Sequence, residues 1–167
     1  FNDRNTCILF GDGAAAAVIS KSDALYSSYL GSDGSIANVL FARSVNTNEK
    51  FAAESDFNDG FEGNNMHAIY QNGKEVYKFA VKALPHAFEK SAEKIGISAD
   101  EIDLFVPHQA NLRILETAAK NLGVSMDKFF VSLDKFGNTS SASIPIALDI
   151  ALEENKIKNG DKICLVG

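Results

Sequence analysis

From residue 103 to residue 167, five stretches alternate in kind. DLFV (103–106), FFVSL (129–133) and KICLVG (162–167) are short apolar runs of strand length. Two helix-length stretches separate them. In the first, Leu112, Leu115, Ala118, Ala119 and Leu122 recur at helical spacing, and Gly123 supplies a C-terminal stop. The second runs from Ser140 to about Glu154, with Pro145 near the first turn, where proline is tolerated. Strand, helix, strand, helix, strand with short connections is α/β architecture, a sheet flanked by helices. The 167 residues suffice for one domain with a real core, and 46% hydrophobic with 23% charged residues is a globular composition.

Upstream the pattern is less regular. TCILF (6–10) and AAAAVIS (14–20) have the composition of strands, with Gly11-Asp12-Gly13 between them. An Asp-Gly pair there fits a tight turn. A phosphate-cradling loop fits less well, because no lysine follows at the required spacing and no helix pattern begins there. Residues 31–72 are polar and irregular, and a loop of that length is expected to be functional, mobile or paired with another subunit. From Gly73 the pattern turns helical, with Val76, Phe79, Ala80, Ala83 and Leu84 on one face and Lys74, Lys78 and Lys82 on another. Charge spacing alone favours a solvated face over a docking stripe for an anionic partner. Pro85 is expected to kink this helix or to start a second one running to about Ile95. Ser98-Ala99-Asp100-Glu101 fits a capping box.

Ligands of α/β sheets gather where strands end and helices begin. His108 lies just past the run 103–106, and Asn138 lies between the run 129–133 and the helix after it. If both runs belong to one sheet, an imidazole and a carboxamide meet at its edge, and both can donate hydrogen bonds to one developing oxyanion. Read singly, each has a plain structural explanation: a satisfied histidine, and an asparagine chosen for turn geometry. No nucleophile accompanies them. Cys7 and Cys164 sit inside apolar runs, as buried thiols in a reducing compartment would. Ser140, Ser141 and Ser143 crowd a helix start, where capping explains them, and there is no G-x-S-x-G elbow.

A formal charge of −6 argues against broad nucleic-acid binding. No apolar run approaches a membrane span, and no signal peptide opens the chain. A first residue of Phe1 and a last run of ICLVG suggest a piece of a longer protein.

The heptapeptide His108-Gln109-Ala110-Asn111-Leu112-Arg113-Ile114 resembles a signature of the 3-oxoacyl-acyl carrier protein synthase III family. Gly137-Asn138-Thr139-Ser140-Ser141-Ala142-Ser143 is similar to the family's second signature loop. TCILFGDGAAA, LGSDGS, GKEVYKFAV (73–81) and KNGDKICLVG are similar to further family segments, so the resemblance covers nearly the whole chain. It implies a thiolase-like half-domain, a mixed sheet flanked by helices, with residues 1–167 forming the C-terminal domain and the domain with the catalytic cysteine absent. Such enzymes condense a starter acyl group from acyl-CoA with malonyl-acyl carrier protein by decarboxylative Claisen condensation, initiating type II fatty acid biosynthesis in the cytoplasm.

Carried over, the resemblance makes His108 and Asn138 the two donors that stabilise the enolate. Asn111, Gly73 and Tyr77 fall along the pantetheine tunnel, and Arg113, Lys78 and Lys120 at carrier-protein docking positions. It implies a homodimer, no metal and no bound cofactor, with coenzyme A entering as a substrate thioester. Gln71 stands where methionine is usual, and Ser141 where alanine is common. Two other readings stay open: an enzyme of specialised metabolism with the same chemistry, and a non-catalytic module that binds acyl carrier protein.

Overall fold

The computed structural model describes residues 8–42 and 69–167. In chain order its elements are β1 (Leu40–Ala42), β2 (Ile69–Gln71), α1 (Gly73–Glu93), β3 (Leu104–Pro107), α2 (Leu112–Leu122), α3 (Leu133–Phe136), α4 (Ser143–Glu153) and β4 (Ile163–Val166), with short 3₁₀ segments before β1 and between some of the later elements. The strands form two small sheets. β1 and β2 pair antiparallel, with Leu40 opposite Gln71. β3 and β4 pair in parallel, with Leu104 opposite Ile163 and Pro107 opposite Val166.

β3 is the centre of the molecule, and all four of its residues are buried. Side chains leave a strand on alternate faces. Phe105 therefore points to one side, where Phe88 and Ala92 of α1 and Leu115, Ala118 and Ala119 of α2 enclose it. Its ring stacks on Phe129 at 4.8 Å and meets Phe88 edge-on at 5.3 Å, the two arrangements that suit the ring quadrupole. Leu104 and Val106 point to the other side, against Phe130 and against Ala147 and Ala151 of α4. A strand covered by helices on both faces must be apolar throughout, which is why DLFV reads as a continuous run and not as an alternation.

Three expectations are corrected. α1 does not give way to a second helix at Pro85 but runs through it as one helix. Proline removes the N–H that would bond the carbonyl four residues back, which is that of Val81. That carbonyl instead accepts from Asn121 Nδ2 of α2 at 3.0 Å, and the proline ring is buried. A neighbouring helix thus supplies the missing donor.

FFVSL is not a regular strand either. Phe129 makes one isolated bridge to Phe105, and Phe130 N–H bonds Phe105 O at 2.8 Å. Pro107 has no N–H to give Phe130 O, so the ladder cannot continue and a side chain takes over. Gln109 Nε2 donates to Phe130 O at 3.1 Å and to Pro107 O at 2.8 Å, while Ser132 N–H donates to Gln109 Oε1 at 2.9 Å. Leu133 already belongs to α3.

Third, residues 14–20 form no strand, and Asp12-Gly13 makes no hairpin turn. Val18 and Ile19 are almost wholly exposed. A strand needs a neighbour to complete its hydrogen bonds, and none of the described residues pairs with this run. Cys7 and residues 43–68 lie outside the described residues.

Other readings match what is found. Ser98 N–H bonds Glu101 Oε2 at 2.8 Å, the reciprocal half of a capping box. α2 ends on Gly123 at φ 73°, a left-handed conformation that glycine adopts without strain. Pro145 falls in the first turn of α4.

Candidate active site

The polar side chains gather past the C-terminal ends of β3 and β4. His108 follows β3 directly, and its N–H donates to Val166 O at 2.7 Å, so its backbone is an extension of the sheet. Its ring is half-buried, with Nδ1 2.6 Å from Ser143 Oγ at the start of α4. Burial pushes the imidazole pKa below its usual value, against the opposing effect of a hydrogen bond to the Ser140 main chain. At neutral pH the ring is therefore an uncharged donor rather than an imidazolium.

Asn138 is buried in the loop between α3 and α4. Its Oδ1 accepts from Ser140 N–H at 2.9 Å, which leaves the amide NH₂ as the outward group. Ser140 has φ 55°, a left-handed conformation unusual for serine. Its N–H donates to Asn138 Oδ1. This strained residue fixes the amide orientation of one of the two groups that the sequence places in successive loops.

The Asn138 backbone is clamped from the other side. Its N–H donates to Leu9 O at 3.0 Å, and its carbonyl accepts from Gly11 N–H at 2.9 Å. A Cβ on Gly11 would collide with the carbonyl oxygen of Phe136, and one on Gly13 would lie 2.9 Å from Thr139 Cγ2. The Gly11-Asp12-Gly13 segment is thus neither a hairpin turn nor a phosphate loop. Its glycines permit close packing against the loop that carries Asn138.

The remaining predicted residues surround the joint between α1 and α2. Asn111 is the N-cap of α2, and its Oδ1 accepts from Arg113 N–H at 2.9 Å. Tyr77 Oη lies 3.0 Å from Thr117 Oγ1, and Thr117 in turn donates to Arg113 O at 2.8 Å. That chain assigns the Tyr77 hydroxyl as the donor and pins the two helices together. Gly73 opens α1, and a Cβ there would meet nothing within 4 Å, so packing among the described residues does not demand glycine. Lys78, Arg113 and Lys120 are exposed around the Tyr77–Thr117 joint, and Lys78 is paired with Glu75 at 2.7 Å.

Burial pushes the Cys164 thiol up to about 11, so it remains protonated and unreactive. Among the described residues no group of three or more His, Cys, Asp or Glu is placed to hold a metal, and no helix is long and apolar enough to cross a membrane. Sequence reasoning gave no role to Gln109, although its amide joins β3 to the neighbouring segment. It also assigned Ser143 to capping, yet α4 has no side-chain cap there. No local signal separates these residues from ordinary polar ones, because their partners are distant in sequence.

A buried parallel strand pair between helical layers, with polar groups collected past the strand ends, defines an α/β half-domain of the thiolase-like kind. Residues 92–167 match the model of the 3-oxoacyl-[acyl-carrier-protein] synthase III C-terminal domain, and residues 1–34 match that of 3-oxoacyl-[acyl-carrier-protein] synthase III. The chain is 44% identical to the beta-ketoacyl-[acyl-carrier-protein] synthase III of Natranaerobius thermophilus, over 100% of this chain and 51% of that protein. It is 44% identical to the same-named protein of Clostridium acetobutylicum, over 100% of this chain and 50% of that protein. Among solved structures, the synthase III of Thermus thermophilus matches with a TM-score of 0.81 and 40% identity, over 98% of this chain and 49% of that one. That of Aquifex aeolicus matches with a TM-score of 0.81 and 36% identity, over 98% and 47%. The chain belongs to the 3-oxoacyl-[acyl-carrier-protein] synthase III family, and it spans about half the length of the relatives it matches.

Proposed function

We propose that this chain is the C-terminal half of a condensing enzyme that joins a starter acyl group from acyl-CoA to malonyl-acyl carrier protein, the opening step of type II fatty acid biosynthesis. A cysteine in a preceding half carries the acyl group. When the malonyl thioester loses carbon dioxide, the electron pair of the broken C–C bond becomes an enolate whose negative charge rests on the thioester oxygen. His108 Nε2–H and the Asn138 amide donate to that oxygen. The enolate carbon then attacks the acyl-enzyme carbonyl, and the cysteine thiolate leaves.

The observation that carries this reading is the state of the two donors. Asn138 Oδ1 is already occupied by Ser140 N–H, and His108 Nδ1 already has a partner in Ser143 Oγ. Asn138 is left with its amide NH₂ to give, and a buried, preorganised donor is worth most where charge develops. A neutral ring supports the same role, because a donor that keeps its proton need not be recharged between turnovers.

In this reading Asn111, Gly73 and Tyr77 line the route of the pantetheine arm. Arg113, Lys78 and Lys120 face the acidic carrier protein. No metal or organic cofactor takes part, and the enzyme works as a cytoplasmic homodimer.

The test is His108→Ala in the full-length protein. Malonyl decarboxylation falls by about 10²–10³ while carrier-protein binding is retained. Unchanged decarboxylation with intact binding would sink the catalytic reading in favour of a carrier-binding module. The 167-residue chain alone forms no 3-oxoacyl product, since the thiolate lies elsewhere.

A further inference from the structure

We infer that Ser143 is a positioning residue whose hydroxyl holds Nδ1 of His108 as an acceptor and so keeps the ring proton on Nε2. Ser143 is 2% exposed and opens α4, where a serine would ordinarily cap the helix. It makes no capping bond. Its Oγ has two partners instead: His108 Nδ1 at 2.6 Å and Gln109 N–H at 3.3 Å.

The backbone N–H of Gln109 can only donate, so it takes a lone pair of the hydroxyl oxygen. The hydroxyl hydrogen then has one acceptor among its described partners, and that is Nδ1. A neutral imidazole carries a single ring proton, so if Nδ1 accepts, Nε2 is protonated. The opposite tautomer would place an N–H against Oγ and leave a buried hydroxyl hydrogen without an acceptor, the costlier arrangement.

The frame around this contact is stiff. The His108 backbone is bonded to Val166 O, and Gly167 packs so closely that a Cβ on it would lie 3.2 Å from His108 Cβ. Gln109, which donates to Ser143 from its backbone, is itself held by three hydrogen bonds through its buried side chain. The imidazole therefore cannot easily turn away, and the hydroxyl decides which nitrogen bears the proton.

The tautomer assignment stands on this geometry alone. Its catalytic consequence rests on the proposed function, in which Nε2–H donates to the enolate.

The experiment uses the full-length protein labelled with ¹⁵N-histidine, with the His108 signals assigned by their loss in His108→Gln. A long-range ¹H–¹⁵N spectrum shows which ring nitrogen is protonated. The expected result is a protonated Nε2 in the wild type and in Ser143→Thr, and a mixed or reversed tautomer in Ser143→Ala. In parallel, Ser143→Ala lowers kcat for malonyl decarboxylation about 10–100-fold with KM nearly unchanged, as loss of a partner that orients a histidine does. Ser143→Thr recovers most of that loss.

A wild-type spectrum with the proton on Nδ1 overturns the assignment, and it does so without any variant having to fold. A tautomer unchanged in a folded Ser143→Ala overturns it too. A tautomer that shifts as expected while kcat stays put supports the positioning by Ser143 and counts against the donor role given to His108, so the two readings fail separately.

Discussion

Residues 102–151 and residues 14–30 are both rich in apolar side chains, and they end in opposite surroundings. Phe105 is 0% exposed and Val18 98%. The first region has cover on two sides, α1 and α2 against Phe105 and α4 against Leu104 and Val106. The second is attached by polar contacts at its end: Ser27 Oγ donates to Ser91 O at 2.7 Å, Lys94 Nζ donates to Ser28 O at 2.6 Å, and Tyr29 meets the His86 ring edge-on. Val18, Ile19 and Leu30 receive no comparable cover from the described residues. Apolar composition is a demand for a partner surface, and the strand forms only where that surface exists. An exposed apolar strip of this kind is ordinarily a contact surface for another part of a protein.

The comparison can be broken at its strong end first. Phe105→Ala removes the ring on which Phe88 and Phe129 pack, and it should cost about 3–5 kcal/mol in denaturant unfolding. A loss below about 1 kcal/mol would show that β3 is not the centre of the core.

Gly11→Ala probes a place where the N-terminal segment grips the loop that carries Asn138. The new methyl group meets the Phe136 carbonyl, so the clamp on Asn138 must open. The expected cost is about 1–3 kcal/mol, together with slower decarboxylation by the full-length protein. An alanine variant of full stability and full activity would show that the clamp is incidental.

The smallest effect belongs to the exposed strip. Val18→Ser in the 167-residue chain should change stability by no more than about 0.5 kcal/mol. A penalty approaching that of Phe105→Ala would mean that residues 14–30 are covered after all, and the contrast between the two regions would fall.

Much of the second half was legible before any coordinates. Gly123 ends α2, Glu101 caps back on Ser98, and β3 and β4 lie where the apolar runs placed them. Each depends on interactions a few residues long or on a burial pattern with a fixed period. The errors share another cause. Pro85 does not break α1 because Asn121, on a different helix, bonds the orphaned Val81 carbonyl. FFVSL is not a regular strand because the Gln109 amide replaces part of a ladder. AAAAVIS is not a strand because none of the described residues pairs with it.

For the site the division is similar. His108 and Asn138 could be singled out from sequence, because strand-to-helix loops of an α/β fold converge and these two side chains suit an oxyanion. Composition, helix periodicity, caps and the signature residues were determined by the sequence itself, since each rests on local chemistry. Which atom of each donor is free was decided only in three dimensions. Ser140 turns left-handed to occupy Asn138 Oδ1, Ser143 meets His108 Nδ1 from the start of α4, and Gly11 holds the Asn138 backbone from far upstream. A hydrogen bond between residues distant in sequence leaves no mark in their spacing, and it is such bonds that turn an imidazole and a carboxamide into two aimed donors.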